Sequence, residues 1–125
     1  MTNNFINTTD KTIESQKSPN FDIINPSFTI NNEEEKIVIK AKRGNFLKDN
    51  KILLEKDVIF KSPRFTLSTN SVIYNRENQS AQSSHKSKFN SDGTIIISEG
   101  FEIINNGNVI LFNGNTNLII NNNSL

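Results

Sequence analysis

Five short clusters of turn-forming residues recur at nearly equal intervals: "KDNK" at 48–51, "KSPR" at 61–64, "NREN" at 75–78, "NSDG" at 90–93 and "NNGN" at 105–108, their starts 13, 14, 15 and 15 residues apart. Asn-Gly and Asp-Gly supply the positive φ angles that tight hairpins need, and Pro63 presets φ in the second cluster. Between clusters stand segments of 9 to 11 residues whose apolar positions recur every second residue, the period of a strand with one buried face. In "ILLEKDVIF" the set Ile52, Leu54, Val58 and Phe60 forms one face, interrupted by Lys56. "KIVIKAKR" opposes Ile37, Ile39 and Ala41 to Lys36, Val38, Lys40 and Lys42, and "NVILFNGNTNLII" aligns Ile110, Phe112, Gly114, Thr116, Leu118 and Ile120. No segment sustains a helical period. The chain therefore reads as all-β, an antiparallel meander. Ten-residue strands would run about 33 Å, so they must twist and bend at Gly or Ser, each strand serving two facing sheets of a flattened, open sandwich.

The 125 residues suit one domain with a real core. Its apolar supply is Ile, Leu, Val and Phe, with one Tyr, one Met and no Trp, a strand-favouring set. Residues 1–20 are polar and unpatterned and read as a disordered leader or linker; the domain is expected over 21–121, with a disordered tail at 122–125. A net charge of +1 provides no global attraction for nucleic acid or an anionic membrane surface. The absence of cysteine excludes disulfides and thiolate chemistry in either redox compartment. No window approaches the 18 or so apolar residues of a membrane helix, and the start has no apolar signal core. Asparagine is overused alongside Ile, Lys and Phe, which we read as genomic base bias. The sequons at Asn7, Asn78 and Asn122 are accidents of that composition.

No residues point to catalysis, a metal or a cofactor. His85 is the only histidine and has no Cys, Asp or Glu at ligand spacing, so it reads as a solvated strand residue. The run Glu33–Glu35 reads as a solubilising turn, because nothing there would desolvate and raise a general acid's pKa. "KRGNFLKD" at 42–49 lacks the later aromatic positions of an RNA-recognition strand. Lysines 36, 40 and 42 fit the outer face of an exposed strand, where charge discourages edge pairing; contact with phosphate groups is the alternative. Phosphate-loop, dinucleotide and nucleophile-elbow motifs are missing.

A longer repeat also emerges. Segments beginning at Gly44, Ser71 and Gly100 each place an aromatic or apolar pair, a turn and a return strand in the same order, which implies stacked hairpin units. The middle return strand sets Ala81, Ser83, His85, Ser87 and Phe89 on one side. Small side chains there either hold a space open or mark a strand exposed to solvent; both readings fit.

"NPSF" at 25–28, "IKAKRGNF" at 39–46, "FTLSTNSVIYNRENQSAQS" at 65–83, "SEGFEI" at 98–103 and "GNVILFNGNTNLII" at 107–120 resemble the LptC family in its alphaproteobacterial style. Its members are periplasmic components of the lipopolysaccharide export bridge. The resemblance covers Phe21 to Ile120 and implies an open, twisted antiparallel β-jellyroll whose apolar interior cradles lipopolysaccharide acyl chains. It also implies an N-terminal edge docked on the inner-membrane Lpt ABC transporter complex and a C-terminal edge paired with LptA. Carried onto this sequence, the receiving edge spans Phe21 to Ile30, including Phe21, Ile23, Phe28 and Ile30. The delivering edge spans Val109 to Ile120, including Leu118 and Ile120. Leu54, Val58, Phe60, Phe65, Leu67, Tyr74, Phe89, Phe101, Leu111 and Phe112 would line the lipid groove, with lysines at its mouth facing lipid phosphates. Family members carry an N-terminal membrane helix where this chain has a polar leader. The resemblance therefore implies a periplasmic protein, and the inner-membrane anchor either lies outside this sequence, which is the expectation taken here, or is absent, as in a soluble variant. Two rivals stand beside this reading: a sheet-edge scaffold that binds no lipid, and a fragment of a secreted adhesin built as a parallel β-solenoid.

Overall fold

The computed structural model describes residues 21–120; the expected leader and tail and the sequons at Asn7 and Asn122 lie outside them. The described residues form ten strands and no helix: β1 (Ile23–Ile24), β2 (Ser27–Asn31), β3 (Lys36–Lys40), β4 (Arg43–Phe46), β5 (Lys51–Lys61), β6 (Thr66–Asn75), β7 (Ser80–Ser83), β8 (Ser87–Ser91), β9 (Thr94–Ile104) and β10 (Val109–Ile120). Every pairing is antiparallel, which excludes the parallel solenoid.

The turns form where the spacing places them. Asp49 and Asn50 take φ of 62° in the β4–β5 turn, and Asp92 and Gly93 take 46° and 89° in the β8–β9 turn. Asn105, Asn106 and Gly107 are left-handed between β9 and β10. At "KSPR" the Ser62 hydroxyl accepts from the backbone N–H of Arg64 and Phe65, at 3.2 and 3.3 Å. Seven of the nine non-glycine residues with positive φ are Asn or Asp, the side chains that best tolerate this region. Part of the asparagine content read as base bias therefore shapes backbone.

The strands bend in register and divide the sheet into two halves. The first half of β5 pairs with β4 and the second with β3; the two ends of β6 pair with β8 and β7, and those strands continue onto the two ends of β9. One half-sheet therefore runs β1-β4-β5-β6-β7-β9-β10 and the other β2-β3-β5-β6-β8-β9-β10. The line between them is a crease. Along it, Lys56 and Asp57 bulge opposite Asn70, and Gly114 and Asn115 bulge opposite Glu99. Lys56, Asp57 and Gly114 all have positive φ, the extra-residue geometry that sharpens a strand's bend.

Serine, threonine and glycine hold the crease together. Ser83 Oγ donates to the Ser71 carbonyl at 2.7 Å and accepts from the His85 N–H at 3.1 Å. Ser87 Oγ donates to the His85 carbonyl, Thr69 Oγ1 to the Lys86 carbonyl and Ser98 Oγ to the Gly100 carbonyl, at 2.7, 3.0 and 2.9 Å. These four side chains are buried. They supply partners where the bend interrupts the ladder, as buried backbone polar groups require. The serine-rich return strand is thus neither a gap nor a solvent-exposed face. Gly100 is needed for close approach, since a Cβ there would stand 2.5 Å from the Ser83 carbonyl oxygen.

Candidate functional site

The two half-sheets face each other across an apolar interior, and the alternation read from sequence decides which side chains enter it. Leu54, Val58, Phe60, Leu67 and Phe101 have no exposed surface, and Phe65 and Tyr74 are buried. Phe89 and Phe112 are half-buried against this core. Phe60 meets Phe101 edge-on across the half-sheets at 5.5 Å, and Phe28 meets Tyr74 at 5.4 Å. Phe65, Phe89 and Phe112 form a further ladder at 5.2 and 5.5 Å. Leu111 is the exception among the expected groove residues. It stands opposite Glu102 on the outer face and is 44% exposed, while its neighbour Phe112 stands opposite Phe101 within. Successive strand residues face opposite ways, so the two cannot share the interior.

The middle of the interior is filled. Zero exposure at Ile52, Leu54, Val58, Phe60, Leu67 and Phe101 leaves no water-sized space beside them. Surface hollows of about 440, 400 and 430 Å³ instead surround Asp57 on the outer side of the crease, lined by residues such as Lys40, Asn70, Lys88 and His85. An acyl chain reaches the middle only if the half-sheets part. Opposite the crease their rims touch: the Asn31 N–H donates to Gln79 Oε1 at 2.7 Å. Gly107 packs where a Cβ would fall 2.6 Å from Ile37 Cδ1, and the β2–β3 and β9–β10 turns share a hollow lined by Asn31, Glu33, Asn106 and Asn108.

Toward β10 the cover is lost. Leu118 pairs with Ile96 and Ile120 with Thr94 on the inner face, yet Leu118 and Ile120 are 60% and 61% exposed. Together with Phe89, Ile96, Ile110 and Phe112, all partly exposed, they make an uncovered apolar strip. Among the described residues β10 pairs only with β9, and at the other margin β1 pairs only with β4 and β2 only with β3. Both expected edges are therefore sheet edges. Ile30 is wholly buried and Phe28 and Ile23 half-buried, leaving mainly their strands' backbone for a neighbour. Phe21 lies under the Arg43 guanidinium, 4.5 Å from its carbon. The sequence reading missed the exposed Ile24, Phe46 and Leu47 beside this margin; the apolar pair in "GNFLKD" was the signal for the last two.

The electrostatics serve structure. Arg64 Nε donates to Glu35 Oε2 at 2.6 Å, and this contact raises the Arg64 pKa and ties the β2–β3 turn to the β5–β6 turn. Burial pushes the Tyr74 phenol above its ordinary value, with Arg76 opposing. His85 is exposed, and among the described residues no group of His, Asp and Glu is placed to hold a metal.

Fold and interior define an open β-jellyroll with an apolar inner surface and margins unpaired among the described residues. The sequence matches the family described as "Lipopolysaccharide-assembly, LptC-related" over residues 4–121, and the chain belongs to that family. The family is one of transport components and not of enzymes, and membership ties the chain to lipopolysaccharide transport. No curated protein matches it. Among the described residues no helix is long and apolar enough to cross a membrane.

Proposed function

We propose that this chain takes up the acyl chains of lipopolysaccharide between its half-sheets and passes the lipid along a sheet continued at both margins. In this reading the β1 and β2 margin receives from the inner-membrane Lpt transporter, β10 delivers to LptA, and the protein works in the periplasm. The observation that carries the proposal is the uncovered inner strip from Phe112 to Ile120 on a strand whose second edge has no partner among the described residues. An apolar surface there suits a lipid tail, and free backbone N–H and C=O groups suit an added strand. Loading proceeds from that strip inward as the half-sheets part about the crease. Each buried methylene contributes about 0.8 kcal/mol, so a dozen of them supply roughly 10 kcal/mol against the loss of contacts such as Phe60–Phe101.

The filled middle favours one second reading, a sheet-edge scaffold that binds no lipid. Photocrosslinking separates the two. Probes at Phe112 and Leu118 are expected to capture lipopolysaccharide while a probe at Leu111, on the outer face, does not. Capture of neighbouring protein alone, with no lipid from any inner position, would leave the scaffold.

A further inference from the structure

We propose that the outer face of the half-sheet containing β3 and β8 is a docking surface for an anionic lipid bilayer. This surface is distinct from the interior that the proposed transport reading uses. Strand register places its outward side chains in two rows. One runs Lys40, Ile59, Ser68, Lys88, Ile97, Asn117, and the next runs Val38, Lys61, Thr66, Asn90, Ile95, Ile119. At a spacing of about 4.8 Å per strand each row extends roughly 24 Å. Lys36 adds a further cation beyond Val38, outward beside Asn31.

Neither row contains a carboxylate; those nearby are Asp57 and Glu99 in the crease bordering the first row, and Glu33, Glu34, Glu35 and Asp92 in turns. The opposite outer face is balanced, with Arg43 and Lys51 against Glu55 and Glu102, and Arg43 Nε lies 3.5 Å from Glu55. A chain of net charge +1 thus carries four exposed lysines, at 36, 40, 61 and 88, on one side.

The residue types select the partner. Protein interfaces are depleted in Lys and enriched in Arg, Tyr and Trp, and these rows hold Lys and no Arg or aromatic. Lysine stems instead lie along apolar surface while their ammonium groups reach headgroup phosphates, with exposed aliphatic residues between them entering the interface. Ile59, beside Lys40 and two residues from Lys61, is 37% exposed, and Ile119 at the β10 end of its row is 50% exposed, and a broad sheet face matches a bilayer better than it does a small ligand.

The test is flotation of the full chain with vesicles of zwitterionic lipid alone or with about a third anionic phospholipid. Binding is expected only to anionic vesicles and is weakened by salt, as interactions of exposed charges are. At about 1 kcal/mol per lysine near such a surface, the double variant Lys40→Gln/Lys88→Gln lowers partitioning roughly 25-fold. Lys48→Gln/Lys51→Gln, away from the rows, changes it less than about twofold. Because the chain has no Trp, Ile59→Trp gives a clean fluorescence reporter that shifts to the blue on anionic vesicles, whereas Leu111→Trp on the other face does not. No binding to anionic vesicles, equal losses from both double variants, or a shift at Leu111→Trp overturns the assignment. So does binding to soluble polyglutamate without binding to vesicles, which would make the partner an acidic protein. The vesicles contain no lipopolysaccharide, so failure here leaves the interior reading untouched.

Discussion

β5 and β10 carry similar alternation and opposite burial. Ile52, Leu54, Val58 and Phe60 on β5 have no exposed surface, whereas Leu118 and Ile120 on the inner face of β10 are more than half exposed. The difference lies in their surroundings. β5 has neighbours on both sides, β4 and β3 on one and β6 on the other, and an opposing half-sheet above it; among the described residues β10 has β9 alone. Alternation thus selects the face a side chain takes, while position in the sandwich decides whether anything covers that face. In an open jellyroll the same residue types serve as core in the middle and stand exposed at the margin.

The largest expected effect tests the middle. Phe60→Ala removes the Phe101 contact and leaves a cavity, costing about 3–5 kcal/mol, read as a lower urea midpoint at unchanged slope. Leu118→Ala is expected to stay within about 0.5 kcal/mol; comparable losses would erase the contrast between the two strands. Gly100→Ala sharpens the role of the crease. Its new methyl meets the Ser83 carbonyl, for a cost of about 1–3 kcal/mol, and a neutral result would show that β7 and β9 are not held so closely. Ser87→Ala deprives the His85 carbonyl of a donor and should cost about 1 kcal/mol.

The smallest expected effect is alkaline. Tyr74 is raised above its ordinary pKa by burial, so its contribution is fully present below about pH 10. It is lost as pH rises through the higher folded value. As the only tyrosine, it can be followed by phenolate absorbance, and Tyr74→Phe should remove that part of the alkaline destabilisation.

Turn clusters and alternation made the meander legible, because Asn-Gly, Asp-Gly and Ser-Pro act within four residues. The crease was partly legible: Lys56 interrupting "ILLEKDVIF" and Gly114 within "NVILFNGNTNLII" mark bends, but only the aligned strands show that these breaks share one line. The serines of the middle return strand were misjudged because their partners are main-chain groups such as the Ser71 carbonyl, 12 residues away. Leu111 was assigned to the groove with Phe112 although adjacent strand residues face opposite sides. The uncovered strip at Leu118 and Ile120 has no local signal, since coverage depends on a half-sheet remote in sequence.

The account turns on the half-sheets parting to admit lipid. Glu33→Cys and Asn108→Cys, in the two rim turns that share one hollow, can be bridged by a short bismaleimide in a chain otherwise free of cysteine. With lipopolysaccharide present, a photocrosslinking probe at Phe60 should capture lipid before bridging and lose it afterwards, while a probe at Phe112 keeps its capture. Undiminished capture from Phe60 in the bridged protein, or none from Phe60 in either form, would contradict it.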